Sequence, residues 1–326
     1  LAVGGTVFDP RGLYGYGEKN NVLTNLELEK RFGDDQDKLF AQEGKPPASA
    51  VFIQCVGSRC DCENGNVGCS RYCCPTTVKQ ATQLAKLGTR VTVFYHDMRT
   101  VSPGAEEQYR QARGAGVLFI RIPEDGEIEI QGTKTKVTSV VATDLMLGRP
   151  VEADAELLVL AVGMVPDPEV TPRLKEILKV PVGPDGFFME RHPELGPVET
   201  VVDGVFVCGS AVGAKAISDS LAEAGAAASK AGQIMARSSL QLEPTIAEIN
   251  PFLCRGCGQC VSICEFHAPG LSDGELGVPV ATINKASCKG CGTCVAWCPS
   301  GAITARHFTD SQIDAMLETM LQWKEA

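Results

Sequence analysis

Apolar positions along the chain change their period several times, and those changes divide it. From Ala50 to Gly57 the run is short, apolar and β-branched, the pattern of a strand buried on both faces. Pro75 to Leu87 then places apolar residues at helical spacing and stops at Gly88, a residue suited to the left-handed position beyond a helix end. Arg90 to Tyr95 predicts a second strand, Ala105 to Arg113 a second helix and Val117 to Ile122 a third strand. Downstream, Lys134 to Gly148 alternates like an antiparallel hairpin. Glu156 to Gly163 reads as a fully buried strand that ends in the turn Val162 to Pro166. Val205 to Ser210 predicts another strand ending on glycine, followed by a long Ala-rich helix from Lys215 to Arg237.

The order β-α-β-α-β over the first of these elements is the mononucleotide-binding half of a Rossmann-like parallel sheet, so the fold class is α/β. Before it, residues 1–45 hold no complete folding unit. Tyr14 to Gly17 is rich in turn residues, Asn25 is placed to cap a helix from Leu26 to Phe32, and a charged loop leads to a boundary at Lys45-Pro46-Pro47. At the other end, Thr309 or Asp310 caps a final helix from Gln312 to Trp323. Its stripe of Ile313, Met316, Leu317, Met320 and Leu321 is expected to face a core, with docking onto a partner as the alternative. The segments are therefore 1–45, 46–150, 151–245, 246–308 and 309–326.

Composition narrows the class. A chain of 326 residues, 44% hydrophobic and 21% charged, is that of a globular protein with two or three cores. Its longest apolar run, Leu157 to Val165, is too short to span a bilayer as a helix. A net charge of −10 argues against nucleic acid and against insertion at an anionic membrane, and it suits docking on partner proteins. No signal peptide is read at the start, and the opening Leu1 points to a processed, split or partial polypeptide. The 15 cysteines cluster in metal-type groups, from which a reducing cytoplasm is expected.

Those clusters carry the chemistry. Cys254-x2-Cys257-x2-Cys260-x3-Cys264 is followed by Cys288-x2-Cys291-x2-Cys294-x3-Cys298-Pro299, the tandem spacing of a bacterial two-cluster ferredoxin. Three thiolates of each cluster come from one tight loop, and the fourth crosses over from the other quartet. Cys254, Cys257, Cys260 and Cys298 are thus assigned to one [4Fe–4S] cluster, and Cys264, Cys288, Cys291 and Cys294 to the second. Disulfides leave the repeated quartet unexplained, and zinc sites more often appear as separated pairs. Glu265 stands where the pattern places a proline.

A second group interrupts the sheet. Where a dinucleotide-binding unit turns from strand to helix on G-x-G-x-x-G, this chain carries Cys55, Cys60, Cys62, Cys69, Cys73 and Cys74. Thiols at the switch point of a sheet point to a third cluster, held by Cys69-x3-Cys73-Cys74 and Cys55, with Cys69 and Cys73 spaced to share a helix face. Buried or redox-active thiols are the competing reading. A strand–glycine turn feeding a helix, as at Gly209, can also hold a phosphate or a flavin edge, or simply pack. His96, His192, His267 and His307 show no pairing with a nucleophile.

Gln54-Cys55-Val56-Gly57-Ser58-Arg59 and Cys69-Ser70-Arg71-Tyr72-Cys73-Cys74 together resemble the signature of the A-type subunits of heterodisulfide reductase. The likeness continues through Val91 to Thr100, the turn at Ala161 to Pro166, the helix Gly209 to Lys230 and the double ferredoxin. It implies a thioredoxin-reductase-like flavoprotein in which an iron–sulfur cluster replaces the nicotinamide site. By position, Cys55, Cys69, Cys73 and Cys74 match the cluster ligands, with Cys60 and Cys62 additional and able to substitute for Cys55. Gly163, Gly209, Ser210, Lys215, Ile217 and Asp219 match the flavin-binding stretches, although Ala214, Ala216 and Ser218 replace the usual proline, aspartate and proline.

The family's FAD domain opens on G-x-G-x-x-G, and no such motif occurs in this sequence. Residues 1–45 and 151–245 then match later pieces of an incomplete FAD domain, the adenosine half lying on a separate chain or outside this sequence. The resemblance implies a protein that passes electrons between FAD and [4Fe–4S] clusters within a complex, with electron bifurcation as an added capacity. It also implies B- and C-like partner subunits, a hydrogenase or formate dehydrogenase as the electron input, and ferredoxin. Two rival expectations are a pure electron wire with a vestigial flavin site, and a flavoenzyme acting directly on a small disulfide or on NAD(P)H.

Overall fold

The buried run from Leu157 to Val162 and the buried run from Ser49 to Val56 are adjacent central strands of one parallel sheet. The computed structural model describes residues 1–34, 45–239, 245–274 and 277–322. In chain order the first elements are β1 (Thr6–Val7), β2 (Val22–Thr24), α1 (Asn25–Asp34), β3 (Ser49–Val56), α2 (Cys73–Lys86) and β4 (Arg90–Tyr95). Then come α3 (Ala105–Gly114), β5 (Leu118–Arg121), β6 (Ile128–Gly132), β7 (Val137–Asp144), β8 (Arg149–Asp154) and β9 (Leu157–Val162). β10 (Met164–Val165), α4 (Val170–Leu178) and α5 (Ile217–Met235) follow. The chain divides into two compact units, Leu1–Lys230 and Ala231–Ala326.

In the first unit the sheet order is β2-β9-β3-β4-β5, every pair parallel. Side chains alternate across a strand, so β3 serves two cores at once. Ala50 and Phe52 join Leu28, Val78, Ala81 and Leu84 from the helices. Val51 and Ile53 join Val140 and Ala142 of the antiparallel sheet β6-β7-β8 on the other face. A parallel sheet covered on both faces needs apolar residues at nearly every position, which explains the near-continuous runs.

Several expected elements differ. Asn25 does not cap α1; it is the helix's first residue, and its Oδ1 accepts from the Val162 amide at 3.3 Å. Thr24 takes the cap instead. Its Oγ1 accepts from the Glu27 amide at 3.2 Å, and Glu27 Oε2 accepts from the Thr24 amide at 2.7 Å, a reciprocal capping box. The expected hairpin at 134–148 is the middle of a three-stranded meander, because half-exposed β6 shows too few apolar positions to be read as a strand. Val205 to Ser210 forms no ladder. It is extended, bonded to Val198 and Leu1, then turns into a short 3-10 segment at Gly209–Ala211. The charged loop after α1 and Trp323 fall outside the described residues.

The second unit adds β11 (Ala247–Ile249), α6 (Gln259–Ile263), β12 (Pro269–Asp273), β13 (Pro279–Ile283), α7 (Thr293–Trp297), β14 (Ile303–Ala305) and α8 (Asp310–Gln322). β11 pairs with β14 and β12 with β13, both antiparallel. Thr309, not Asp310, heads α8, exchanging bonds with Gln312. The apolar stripe of α8 is exposed, from 42% at Ile313 to 68% at Met320, so it is not the core face expected of it. No helix among the described residues is long and apolar enough to cross a membrane.

Candidate metal centres

The second unit repeats one local device twice. In each half a cysteine loop turns on two left-handed glycines, Gly256 and Gly258 in the first, Gly290 and Gly292 in the second. Gly258 and Gly292 each precede a five-residue helix, α6 or α7. A Cβ on Gly256 would lie 2.3 Å from the Pro279 carbonyl oxygen, and one on Gly290 would lie 2.2 Å from that of Thr245. Only glycine fits either position.

Two small cavities result. One is lined by Cys254, Cys257, Cys260 and Cys298, the other by Cys264, Cys288, Cys291 and Cys294. Each therefore takes three cysteines from one quartet and the fourth from the other. Backbone amides also reach the sulfurs, Ala281 to Cys254 and Ala247 to Cys288, both at 3.4 Å. Burial pushes the Cys294 thiol up to about 11, with the neighbouring charges of Cys264, Cys288 and Cys291 adding to it. Burial also raises Cys260, beside Cys254 and Cys257. At Cys298 burial acts upward but is outweighed by hydrogen bonds from Ser300 and the amides of Ala302 and Ile303, and the thiol falls below its ordinary value.

The sheet cysteines are placed by quite different means. Between Ile53 and Val56 the register of β3 against β9 slips, and Cys55 takes a positive φ of 61°. A bulge of this kind re-aims a side chain out of the strand's alternation. Gly57 follows, with a φ of 73°, because a Cβ there would sit inside the Phe8 ring. The loop then folds on Asn66, which accepts from Cys60 through its carbonyl and from Gly68 through Oδ1. Arg59 and Arg71 also hold left-handed backbones, at 56° and 57°. Each such non-glycine residue costs roughly 1–2 kcal/mol, a strain the packed sheet beneath must sustain.

Cys69 lies in this loop and not on the helix, so it does not share a helix face with Cys73. Cys73 and Cys74 open α2, where the Cys73 thiol meets the Val162 carbonyl at 3.5 Å and the Cys74 thiol the Asp97 carbonyl at 3.7 Å. Cys55, Cys69, Cys73 and Cys74 converge closely enough for their charges to act on one another. Burial, first, and the Cys74 charge push Cys55 up to about 12, and burial raises Cys73 and Cys74 as well. Cys60 and Cys62 pair with each other in a disulfide, with 5.3 Å between their Cα atoms. Gly65 admits that pair, since a Cβ on it would meet both sulfurs.

Among the described residues no three His, Cys, Asp or Glu close around a single ion. A cube holds its four ligands further apart than one ion does, each on its own iron, and that wider spread is compatible with this donor set. A half-buried cation stands beside it. Arg59 lies beside two of the thiols, its charge acting on Cys55 and Cys74, and its Nη1 is buried. The pairing of Arg59 with Asp97 and Glu124 does not show in the sequence, because they become neighbours only when loop, β4 and β5 come together.

The flavin candidates are dispersed. Gly163 is buried against the cysteine loop, its amide bonded to Val56 and its carbonyl accepting from Phe8. A Cβ there would meet Ser58 at 2.7 Å. Gly209 and Lys215 are tied together by Glu223, which accepts from the Gly209 amide at 2.8 Å and from Lys215 Nζ at 2.6 Å. No sequence pattern points to Glu223. Ser210 is half-buried in the 3-10 turn, and Ile217 and Asp219 lie exposed at the start of α5. An open cleft of about 950 Å³ beside Val7, Val165 and Cys62 is lined by none of the six. The ring of His96 meets the Pro123 carbonyl, and that of His192 the amides of Glu194 and Leu195.

Comparison with known proteins matches residues 253–303 to the family described as 4Fe-4S dicluster domain. Over 286 residues the chain is 40% identical to the second A-type iron-sulfur subunit of CoB–CoM heterodisulfide reductase from Methanopyrus kandleri, covering 84% of this chain and 43% of that protein. Over 338 residues it is 40% identical to the A-type iron-sulfur subunit of the same reductase from Methanocaldococcus jannaschii, covering 98% of this chain and 50% of that one. This chain belongs to the A-type family of heterodisulfide reductase subunits. It spans about half the length of the curated relatives it matches. Thioredoxin reductase of T. acidophilum, at 14% identity, covers 72% of this chain and 65% of its own with a TM-score of 0.45, a likeness too loose to carry an argument.

Proposed function

We propose that this chain is the electron-distributing part of a heterodisulfide-reductase-type assembly, carrying three [4Fe–4S] clusters and sharing one FAD. The observation that carries the reading is the presence of three separate groups of four cysteines, two crossed in the second unit and one in the sheet loop. Cys254, Cys257, Cys260 and Cys298 would hold one cluster, Cys264, Cys288, Cys291 and Cys294 another, and Cys55, Cys69, Cys73 and Cys74 the third. When bound, FAD exchanges electrons in pairs and the clusters exchange them singly, which is the chemistry that bifurcation between a high- and a low-potential acceptor requires. The chain's own residues hold the thiols in place, keep water from the buried ones and donate amides to Cys254 and Cys288.

Relatives are named as H2- or formate-linked CoB–CoM heterodisulfide, ferredoxin reductases. On that basis the partners would be a hydrogenase or formate dehydrogenase as electron input, B- and C-like subunits, and ferredoxin, in a cytoplasmic complex. The adenosine half of the flavin site would come from sequence beyond these 326 residues. Two features support this: no G-x-G-x-x-G is present, and α5 buries none of its residues, leaving Ile217 81% and Leu221 69% exposed. Anaerobic iron, sulfide and flavin quantitation, with and without the neighbouring chains, tests the reading. About twelve irons, with FAD only in the assembly, is the expected result, at four irons per cluster. About eight irons would remove the third cluster, and flavin absent under every condition would leave an electron wire.

A further inference from the structure

We infer that Arg59 sets the reduction potential of the sheet-loop cluster, as a fixed, half-buried cation beside it; this rests on the three-cluster reading. The carboxylates that hold the guanidinium meet it at Nη2. This Nη2 lies 3.1 Å from Asp97 Oδ2 and 2.7 Å from Glu124 Oε1, while Nη1 is buried. Only 17% of the side chain is exposed, so solvent screens its charge weakly. The same Asp97 whose carboxylate anchors Arg59 also accepts from the Cys74 thiol through its backbone carbonyl at 3.7 Å. Arg59 is therefore pinned beside the thiols from two directions, and its charge acts on both Cys55 and Cys74.

Arg59 also occupies a left-handed backbone, a conformation unfavourable for arginine. Two further arginines, Arg99 and Arg121, approach Asp97 at 3.4 and 2.9 Å, so that carboxylate is shared and does not cancel Arg59 alone. A cluster gains one negative charge on reduction. A neighbouring cation and a donor aimed at sulfur stabilise that added electron more than the oxidised state, which raises the potential. Arg59 is thus a positioning and tuning residue, not a ligand.

The test is an anaerobic EPR-monitored redox titration of the iron-loaded chain, with the loop cluster identified by its loss in Cys73→Ser. In Arg59→Gln the loop cluster's midpoint is expected to shift to lower potential at unchanged iron content. The two ferredoxin-type clusters, as internal references, should not move. Arg59→Lys keeps the charge and should hold the midpoint closer to that of the parent chain than Arg59→Gln does. If Arg59→Gln loses its four irons, Arg59→Met, which keeps an unbranched side chain without the charge, decides, and a lower midpoint there supports the inference. An intact loop cluster whose midpoint is unmoved in Arg59→Gln or in Arg59→Met overturns it. A wild-type chain with about eight irons overturns the three-cluster reading itself, a distinguishable failure.

Discussion

The two cysteine-bearing regions reach similar donor sets by opposite routes. In the second unit the thiols are grouped by local sequence: two loops, four glycines and two short helices repeat the same turn, and each fourth ligand is supplied by the other half. In the first unit the thiols come from a strand end, a loop and a helix start, and strained non-glycine residues aim them. A local motif needs no scaffold and is also poor in core. The buried residues at the heart of the second unit are Ala247, Cys260, Ala281, Cys294 and Ile303, of which two are cysteines. The sheet unit instead buries Phe52, Phe94, Leu158 and Leu160 entirely, with no thiol needed. Metal should therefore be part of the fold in one region and a guest in the other.

Removing the iron breaks that comparison most directly. Chelation under anaerobic conditions should abolish hydrogen-exchange protection across β11 to β14, because a core this small does not support a fold without its metal. Protection in β3, β4 and β9 should persist. Equal loss in both units would show that the sheet also depends on its cluster. Next in size, Cys73→Ser should lower iron from about twelve to about eight while leaving the far-ultraviolet circular dichroism of the sheet unit in place. Cys294→Ser should lose iron and also unfold much of the second unit, and a folded, iron-poor second unit would contradict the contrast.

Within the second unit, glycines that look alike in sequence should separate. Gly290→Ala places a Cβ 2.2 Å from the Thr245 carbonyl in a left-handed backbone, so neighbouring chain must move. Gly292→Ala has the same backbone hand but nothing within 4 Å. The second should cost about 1 kcal/mol for its backbone alone, and the first more than about 2 kcal/mol. The midpoint of thermal cluster bleaching measures both, and equal midpoints would mean that the close approach is not maintained in solution.

The same contrast explains what could be read from sequence. The ferredoxin-type quartets were legible because spacing alone encodes them. The parallel sheet was legible because β9 is apolar throughout and β3 nearly so, broken only by Ser49 and Gln54, and α5 because its alanines persist. Positions decided by distant neighbours were not legible. Asn25 looks like a cap and is instead a buried partner of Val162. Cys69 looks helical by spacing, yet the left-handed Arg71 separates it from α2. His267 holds the left-handed position after the first quartet that Gly301 holds after the second, an asymmetry that no spacing rule shows. Arg59, Asp97 and Glu124 are 27 to 65 residues apart and meet only at the strand ends.

The smallest effect we expect tests whether the sheet loop is fastened independently of its thiols. Tyr72 stands one residue before α2, and its hydroxyl donates to the Val162 carbonyl at 2.7 Å, the same oxygen that faces the Cys73 thiol. Burial, and then the nearby Cys73, raise this hydroxyl above its ordinary value of 10. A group whose folded pKa is raised contributes stability that is present below the unfolded pKa and fades as pH rises through the folded one. Tyr72→Phe should therefore destabilise the first unit by about 1 kcal/mol, the net worth of one buried hydrogen bond. The difference should be constant from neutral pH to near 10, read from urea midpoints of sheet unfolding, with iron content unchanged. Loss of iron in Tyr72→Phe would show that the hydroxyl positions the thiols and does more than tie the loop to β9.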